Sequence, residues 1–255
     1  MSETDIRNRY GRLCAEIYDL DKPIGSLFDI PYYQGRLKDL DGPVLEAACG
    51  TGRLTVPLLE AGLTVDGFDH SPEMLAICAA NAGARGFAPR LTQARFQDLD
   101  LGRTYGAIIV PASSFILIDD YDEAVGALVR LREHLVPGGL LLLDVPPLSF
   151  FEVQARPRSW IAANGDRLTL ESHMAVSDSL AQRRVNHDRY ERWRDGRLVE
   201  TELELFAYRV WGVKELELTL AAAGFDQVQV CGNYRLGRPP RAGDGILNFS
   251  ARRPG

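Results

Sequence analysis

The feature that most constrains the fold is a short apolar run that passes directly into a glycine-rich turn. Residues 44–48 are predicted to form a buried strand, and Gly50 and Gly52 follow it where a helix begins. Glycine at such a turn lets the backbone approach a ligand closely at the positive end of a helix. The turn therefore suits a nucleotide or an amino-acid carboxylate, although a plain tight turn would have the same pattern.

The rest of the chain continues this pattern, because short apolar runs alternate with amphipathic segments from Pro43 onward. Such alternation is typical of parallel strands joined by crossover helices. Ser71 is predicted to cap one helix, and Pro137-Gly138-Gly139 to end another. Further strands are predicted at residues 63–68, 91–96, 105–110, 140–145, 225–230 and 246–251. The sequence thus predicts an α/β fold with a Rossmann-like, doubly wound, mostly parallel sheet of seven strands.

The pattern changes after the fifth strand. Regular alternation of apolar and polar residues predicts antiparallel strands at residues 168–176, 185–193 and 198–208, with a hairpin turn at Asp195-Gly196. We therefore predict that the chain has three parts. They are a helical lead-in or lid at residues 1–40, a Rossmann-like cofactor-binding domain at 41–145 and 211–255, and an antiparallel, substrate-covering insertion at 146–210.

Composition narrows the classes of function. The formal net charge is −6, so the chain lacks the clustered positive charge with which proteins bind nucleic acid. No apolar run reaches the roughly 18–20 residues of a membrane-spanning helix, and the polar N-terminus lacks a signal peptide's apolar core. The four cysteines lack CxxC spacing, which disfavours a zinc site and a disulfide framework. These features predict a cytoplasmic monomer or homodimer with a small-molecule substrate and no membrane or nucleic-acid partner.

Two aspartates follow predicted strands of the sheet. Asp69 comes at the end of the second strand, where open α/β sheets bind a ribose, and its carboxylate can accept hydrogen bonds from both hydroxyls. Asp98 follows the third strand, placed to accept from an adenine amino group while the Leu99 backbone serves a ring nitrogen. Each aspartate has a structural alternative. Asp69 could cap the turn before Ser71, and Asp98 could be a solvated turn residue.

The spacing of the glycines discriminates between cofactors. A dinucleotide site of the Gly-x-Gly-x-x-Gly type would have its third glycine where Thr55 stands. The sequence also lacks a phosphate-binding loop and a Gly-x-Ser-x-Gly nucleophile motif. An NAD(P)-dependent oxidoreductase is therefore the weaker alternative.

In these motifs the sequence resembles the class I S-adenosylmethionine-dependent methyltransferases, in particular the members that act on small molecules. Residues 45–53 (Leu-Glu-Ala-Ala-Cys-Gly-Thr-Gly-Arg) are similar to the first motif of that family and residues 65–75 to the second. Residues 97–99 resemble the adenine-contacting motif, and residues 135–139 the turn before the fifth strand. The resemblance extends over about residues 18–252. One departure is Ala48, where the family usually has glycine.

The resemblance implies S-adenosylmethionine as the cofactor and S-adenosylhomocysteine as the product. It implies that Glu46 and the backbone of residues 50–52 lie near the methionine portion, Asp69 on the ribose and Asp98 near the adenine. Tyr18 resembles an N-terminal tyrosine that closes over the cofactor, with helix packing as an equal alternative. The complete set of predicted cofactor-binding residues is Tyr18, Glu46, Ala48, Gly50, Gly52, Asp69, His70, Met74, Asp98, Leu99 and Ser113.

The methyl acceptor is left open among nitrogen, carbon and oxygen of a small metabolite, possible acceptors including aromatic and amino-bearing ones. Methyl transfer is an in-line displacement, which alignment and exclusion of water can accelerate without a universal catalytic residue. Residues 110–115 lack the Asn/Asp-Pro-Pro-Tyr/Phe signature of many enzymes that methylate base amino groups. Pro111 stands where a metal-dependent enzyme would have a carboxylate, so we predict no metal.

Two histidines of the insertion, His173 and His187, are the candidate general bases, because histidine titrates near working pH. Each could instead be a surface histidine of a strand. A cofactor-binding subunit without turnover is the non-enzymatic alternative for the whole chain.

Overall fold

The computed structural model describes residues 8–26 and 28–255 and contains two sheets with six α-helices around the larger one. The helices are α1 (Arg12–Asp21), α2 (Ile30–Leu37), α3 (Thr55–Glu60), α4 (Pro72–Gly83), α5 (Tyr121–Glu133) and α6 (Val213–Ala222). The strands of the larger sheet are β1 (Val44–Ala47), β2 (Val65–Asp69), β3 (Leu91–Gln93), β4 (Tyr105–Val110), β5 (Leu135–Val145), β10 (Asp226–Gly232) and β11 (Leu247–Arg252). Within the described residues, no helix is long and apolar enough to cross a bilayer.

The larger sheet has the order β10-β11-β5-β4-β1-β2-β3. Its strands are parallel except β11, which runs antiparallel to both β5 and β10. The predicted Rossmann-like, mostly parallel sheet of seven strands is therefore confirmed. The chain moves outward from β1 to β2 and β3 and then returns to β4 on the other side of β1. Ligands of open α/β sheets bind at such a reversal, beyond the carboxyl ends of the strands.

The start of β5 differs from the prediction. Helix α5 ends at Glu133, and β5 begins at Leu135 and runs through the Pro137-Gly138-Gly139 segment that was expected to end the helix. The glycines form a bulge that pairs with the C-terminal chain, because Gly138 donates to the Arg253 carbonyl and Arg253 donates to that of Gly139. The turn residues therefore belong to the strand, and that prediction was wrong.

The smaller sheet is formed by β6 (Arg158–Ile161), β7 (Arg167–Asp178), β8 (Arg183–Arg194) and β9 (Arg197–Arg209), which pair antiparallel in that order. Asp195 and Gly196 join β8 to β9 with φ angles of 49° and 74°. Positive φ at both residues suits the right-handed twist of a two-residue hairpin. The turn and three of the strands lie where the sequence placed them, and β6 was missed. The domain boundaries as such stay a prediction.

Helix α1 of the lead-in segment is docked against the inner face of this smaller sheet. Its first amide groups donate to two carboxylates of β9: Gly11 to Glu204 at 2.7 Å, and Leu13 and Cys14 to Glu202 at 3.2 Å each. The first amides of a helix have no partner within it, so carboxylates there satisfy them and complement the helix dipole. The contact holds the lead-in segment between the two sheets.

The central strand β4 supplies a sharp test of the fold. A Cβ atom at Gly106 would lie 1.9 Å from the carbonyl oxygen of Asp41, in the segment that leads into β1. We expect Gly106→Ala to lower the free energy of unfolding by about 3 kcal/mol, because the backbone must shift to relieve the overlap. Urea denaturation followed by circular dichroism measures the change.

Gly126 provides the matched control, since a Cβ atom there would meet nothing within 4 Å in the middle of α5. Gly126→Ala is expected to raise stability by roughly 0.5–1 kcal/mol through helix propensity. Equal effects of the two substitutions would contradict the packing described for β4.

Candidate functional site

A cavity of about 500 Å³ opens at the carboxyl edge of the larger sheet, where the strand order reverses. Its walls come from four parts of the chain: the ends of β1 and β2, the segment after β3, the segment between β4 and α5, and single residues of the lead-in and of β8. The lining residues are Asn8, Ala48, Phe68, Asp69, His70, Ala94, Arg95, Phe96, Gln97, Leu117, Ile118, Asp119, Asp120, Glu123 and Arg183. The cavity has the size of a nucleoside-type ligand.

The bend after β1 is built from residues in the left-handed region. Ala48, Gly50 and Gly52 have φ angles of 52°, 56° and 84°. Glycine adopts this conformation freely, whereas for a residue with a Cβ atom the conformation costs roughly 1–2 kcal/mol. Ala48 therefore occupies a strained position, at which glycine would remove the strain. A Cβ atom at Gly52 would lie 2.9 Å from the Cys78 sulfur, so α4 packs directly on the bend.

Asp69, at the end of β2, is buried and connects the bend to the next helix. Its Oδ2 accepts from the Gly50 amide and its Oδ1 from the Ser71 amide, each at 2.9 Å. Burial raises the pKa of Asp69, and the hydrogen bonds from these amides oppose that shift. A carboxylate has about four acceptor sites, so two remain for a ligand in the cavity. The capping role and the predicted ribose role are therefore compatible.

Glu46 lies beneath the bend and does not line the cavity. Only 2% of its surface is exposed, and the Thr55 hydroxyl donates to its Oε2 at 2.6 Å. Burial raises the pKa of Glu46 to about 8, although the Thr55 hydrogen bond and the Arg53 charge oppose the shift. Arg53 is itself held in a buried fork with both carboxylate oxygens of Asp29 at 2.8 Å. This pair connects the lead-in segment to α3.

A second, smaller cavity of about 160 Å³ lies between α1 and the inner face of the smaller sheet. Its lining residues are Tyr10, Cys14, Ile17, Tyr18, Asp21, Lys22, Arg158, Leu170, Asp188, Tyr190, Phe206 and Tyr208. The Tyr18 ring also borders the glycine bend, because its Cε1 lies 3.7 Å from where a Gly50 Cβ atom would be. Tyr10 meets the ring of His70, a wall residue of the larger cavity, at 6.0 Å between centroids. Tyr10 and Tyr18 of the second cavity thus contact residues at the edge of the larger one, and these two rings are called the shared wall below.

The comparisons with known proteins agree with this geometry. Residues 44–139 match the family described as a methyltransferase domain. A glycine/sarcosine N-methyltransferase from Halorhodospira halochloris is 38% identical over 103 residues, which cover 40% of this chain and 38% of that relative. The chain therefore carries a methyltransferase domain, and the predicted relationship to methyltransferases is confirmed.

Solved structures show the same fold over nearly the whole chain. The CcbJ methyltransferase from Streptomyces caelestis superposes with a TM-score of 0.77 at 23% identity, covering 100% of both chains. The sugar N-methyltransferase KedS8 from Streptoalloteichus sp ATCC 53650 has a TM-score of 0.72 at 21% identity, covering 94% of each chain. The smaller sheet thus belongs to an arrangement that other methyltransferases share.

Two predicted residues of the methyltransferase domain lie away from the cavity. Asp98 is exposed, and Leu99 is packed into the core of the larger sheet. The physical reason is the length of β3, which ends at Gln93, three residues before the predicted end. The residues that reach the sheet edge are consequently 94–97. The adenine role predicted for Asp98 and Leu99 therefore finds no support in the structure.

The remaining predicted cofactor residues divide into wall residues and supports. Tyr18 borders the bend, and His70 lines the larger cavity with its Nε2 2.6 Å from the Asn8 carbonyl. Met74 is buried in the first turn of α4, where its amide donates to the Ser71 hydroxyl at 3.1 Å. Ser113, with a φ of 60°, donates its amide to Asp144 and does not line the cavity. Met74 and Ser113 thus hold neighbouring segments in place and do not line the cavity.

The two candidate bases line neither of the two cavities. His173 and His187 lie opposite each other on β7 and β8, and both are exposed on the outer face of the smaller sheet. Successive residues of a strand point to opposite faces, so Asp188 and Tyr190 face the inner side instead. Sequence reasoning missed these two residues. Alternation along β8 was the available signal, but it does not tell which of the two faces is the inner one.

The buried Glu46 carboxyl predicts a pH-dependent stability. Its pKa of about 8 in the folded chain exceeds its ordinary value of 4.5, so the folded state binds more protons between these values. Stability from this group is complete below about pH 4.5 and is lost as the pH rises toward 8. We expect Glu46→Gln to remove this loss, leaving the variant more stable than the parent at pH 9 by up to about 4 kcal/mol.

Urea denaturation at several pH values between 5 and 9 measures this effect. Glu60→Gln, at the exposed end of α3, is the matched control and should follow the pH profile of the parent protein. An unchanged profile for Glu46→Gln would show that Glu46 ionises without cost in the folded chain.

Proposed function

We propose that the chain is an enzyme that transfers a methyl group from S-adenosylmethionine to a nitrogen atom of a small, amine-bearing metabolite. The observation that carries the proposal is the pair of adjacent cavities: one of nucleoside size beside Asp69, and one aromatic cavity with the buried carboxylate of Asp188. The glycine/sarcosine and sugar N-methyltransferases to which the chain is similar support nitrogen as the acceptor atom.

The residues of the larger cavity fit the cofactor. Asp69 lines it with acceptor capacity to spare for a ribose, and the left-handed bend at Gly50 and Gly52 keeps side chains out of the space beside α3. When bound, S-adenosylmethionine supplies an electrophilic methyl group attached to a sulfonium. Cation–π contact with the shared wall of Tyr10 and Tyr18 would suit that positive charge.

The protein's own part in the reaction is placement. An amine must meet the methyl group with a free lone pair and must lose a proton. The lead-in segment and the smaller sheet close the second cavity on the side away from the larger sheet, which limits the access of water. An in-line displacement needs the amine nitrogen and the methyl carbon in direct contact, so the proposal requires the two cavities to be joined beside Tyr10 and Tyr18 when both reactants are bound.

Other features of the proposal stay predictions from the sequence. They are the cytoplasmic location, the monomeric or homodimeric state, and the absence of a nucleic-acid partner. Carbon and oxygen acceptors are the alternatives to nitrogen.

Binding of S-adenosylhomocysteine tests the cofactor site. We expect Asp69→Asn to weaken this binding about five- to hundredfold, because charge-assisted hydrogen bonds to the ligand are lost. Isothermal titration calorimetry measures the affinity, and the melting temperature shows whether the variant is folded. Asp98→Asn is the matched control and should bind like the parent protein, because Asp98 is exposed outside the cavity. Weaker binding in Asp98→Asn alone would reverse the assignment.

Turnover is tested separately with methyl-labelled S-adenosylmethionine and a pool of small primary and secondary amines. Mass spectrometry is expected to find label in an amine. Tight binding of S-adenosylhomocysteine without transfer to any member of broad metabolite pools would favour the subunit without turnover.

A further inference from the structure

The second cavity contains a buried carboxylate that has no cationic partner among the described residues. Asp188 is 7% exposed, and the Ser172 hydroxyl donates to its Oδ1. Within residues 8–26 and 28–255 it forms no ion pair. Burial raises the pKa of Asp188, while hydrogen bonding from Ser172 and the charges of Arg158 and Arg184 oppose the shift. A buried carboxylate without a cation is costly, unless a ligand supplies the cation.

A second carboxylate lies next to Asp188 on the inner face of the smaller sheet. Glu204 lies directly opposite it on β9 and is fully buried. Its Oε1 accepts from the Gly11 amide and pairs with Arg9 at 3.4 Å, and its Oε2 has no partner among the described residues. Arg184, four residues earlier on the same face of β8, directs its guanidinium to the Asn186 side chain and the Phe150 carbonyl. Glu204 is occupied by the lead-in segment, so Asp188 is the carboxylate that faces the open space.

The other walls of the cavity are aromatic. Tyr10 and Phe206 meet edge to face at 4.9 Å between ring centroids, and Phe206 stacks with Tyr208 at 6.1 Å. Tyr18 and Tyr190 complete the lining. Aromatic faces attract a cation, and this attraction is strongest where water is excluded. A carboxylate together with several tyrosine rings is the combination that recognises a substituted ammonium group.

The cations at the cavity lie at its rim and are already engaged. Arg158 pairs with Asp21 at 2.8 Å and is half exposed. The Lys22 ammonium lies 4.2 Å above the centre of the Tyr18 ring. Both groups narrow the entrance, and neither forms an ion pair with Asp188. With a volume of about 160 Å³, the cavity has room for an amino group and one small ring, so a larger acceptor would extend past this rim.

From these observations we propose that the second cavity binds the cationic amino group of the methyl acceptor, with the tyrosine rings as its walls and Asp188 as its counter-ion and as the acceptor of the proton that the group loses before its nitrogen attacks the methyl group. This inference rests on the proposed function, because the shared wall of Tyr10 and Tyr18 places the cavity beside the cofactor crevice. Beyond the proposed function, the inference names the site that binds the acceptor, and the charge and approximate size of the group bound there.

Cyclohexylamine and cyclohexanol are suitable probes, because they have nearly the same shape and differ in charge at neutral pH. Binding to the parent protein is measured by ligand-observed NMR without cofactor. We expect the amine to bind about tenfold or more tightly than the alcohol, as a charge-assisted hydrogen bond requires. Equal affinities for the two probes would overturn the proposal without any variant.

Asp188→Asn keeps the size of the side chain and an acceptor for Ser172, and it is expected to abolish the preference for the amine. His187→Asn is the matched control on the outer face of the same strand and should retain the preference. Retention of the preference in Asp188→Asn would place the amine elsewhere. Asp188→Asn is expected to bind S-adenosylhomocysteine like the parent protein, which also shows that it is folded.

The two proposals fail in different ways. If the parent protein does not bind S-adenosylhomocysteine, the proposed function is contradicted, and the amine titration can still be interpreted. Normal cofactor binding with no preference for the amine would contradict only the assignment of Asp188.

Discussion

The arrangement of the larger cavity depends on the position of one buried carboxylate. Asp69 accepts the amide hydrogens of both Gly50 and Ser71, so a single side chain fixes the bend after β1 and the start of α4. The bend carries Ala48 in a strained left-handed conformation, which persists only because its surroundings hold it. Packing of Cys78 against Gly52 supplies a second restraint on the same loop. A rigid loop of this kind presents its backbone to a ligand without paying for order on binding.

The second structural dependence is the attachment of the lead-in segment to the smaller sheet. Glu202 and Glu204 of β9 bind the first amides of α1, and Asn8 reaches the carbonyls of Leu117 and Ala207 with its side-chain amide. Segments distant in the sequence are thereby held together by hydrogen bonds to buried acceptors. Tyr10 and Tyr18 receive their positions from this attachment. The wall between the two cavities therefore exists only when the lead-in segment and the insertion are both folded.

The sequence was informative where local chemistry determines structure. The glycine bend, the Ser71 cap and the Asp195-Gly196 hairpin depend on backbone conformations that only a few residue types favour, and all three were predicted correctly. It was less informative where the result depends on where a strand ends. The segment after β3 has no residue that marks the end of the strand. Asp98 was therefore predicted to lie at the carboxyl edge of the sheet, whereas residues 94–97 lie there.

In the insertion, the sequence does not tell which face of the smaller sheet points inward. The alternating pattern of β8 is the same whether His187 or Asp188 points inward, and the choice is made by the packing of α1, which no local signal encodes. The expectation that a base would be a histidine favoured His187, which lies on the outer face, whereas its neighbour Asp188 lines the second cavity.

The two buried aspartates that line the cavities are equipped for different ligands. Asp69 already accepts two backbone amides, which leaves a carboxylate with two acceptor sites suited to neutral hydroxyl groups. Asp188 accepts from the Ser172 hydroxyl, has a buried carboxylate opposite it and aromatic rings around it, and forms no ion pair with the arginines near it. Neutral donors would leave that charge in place, whereas a cation would remove its cost. This difference in their partners is the reason why we propose the ribose for one cavity and the amine for the other.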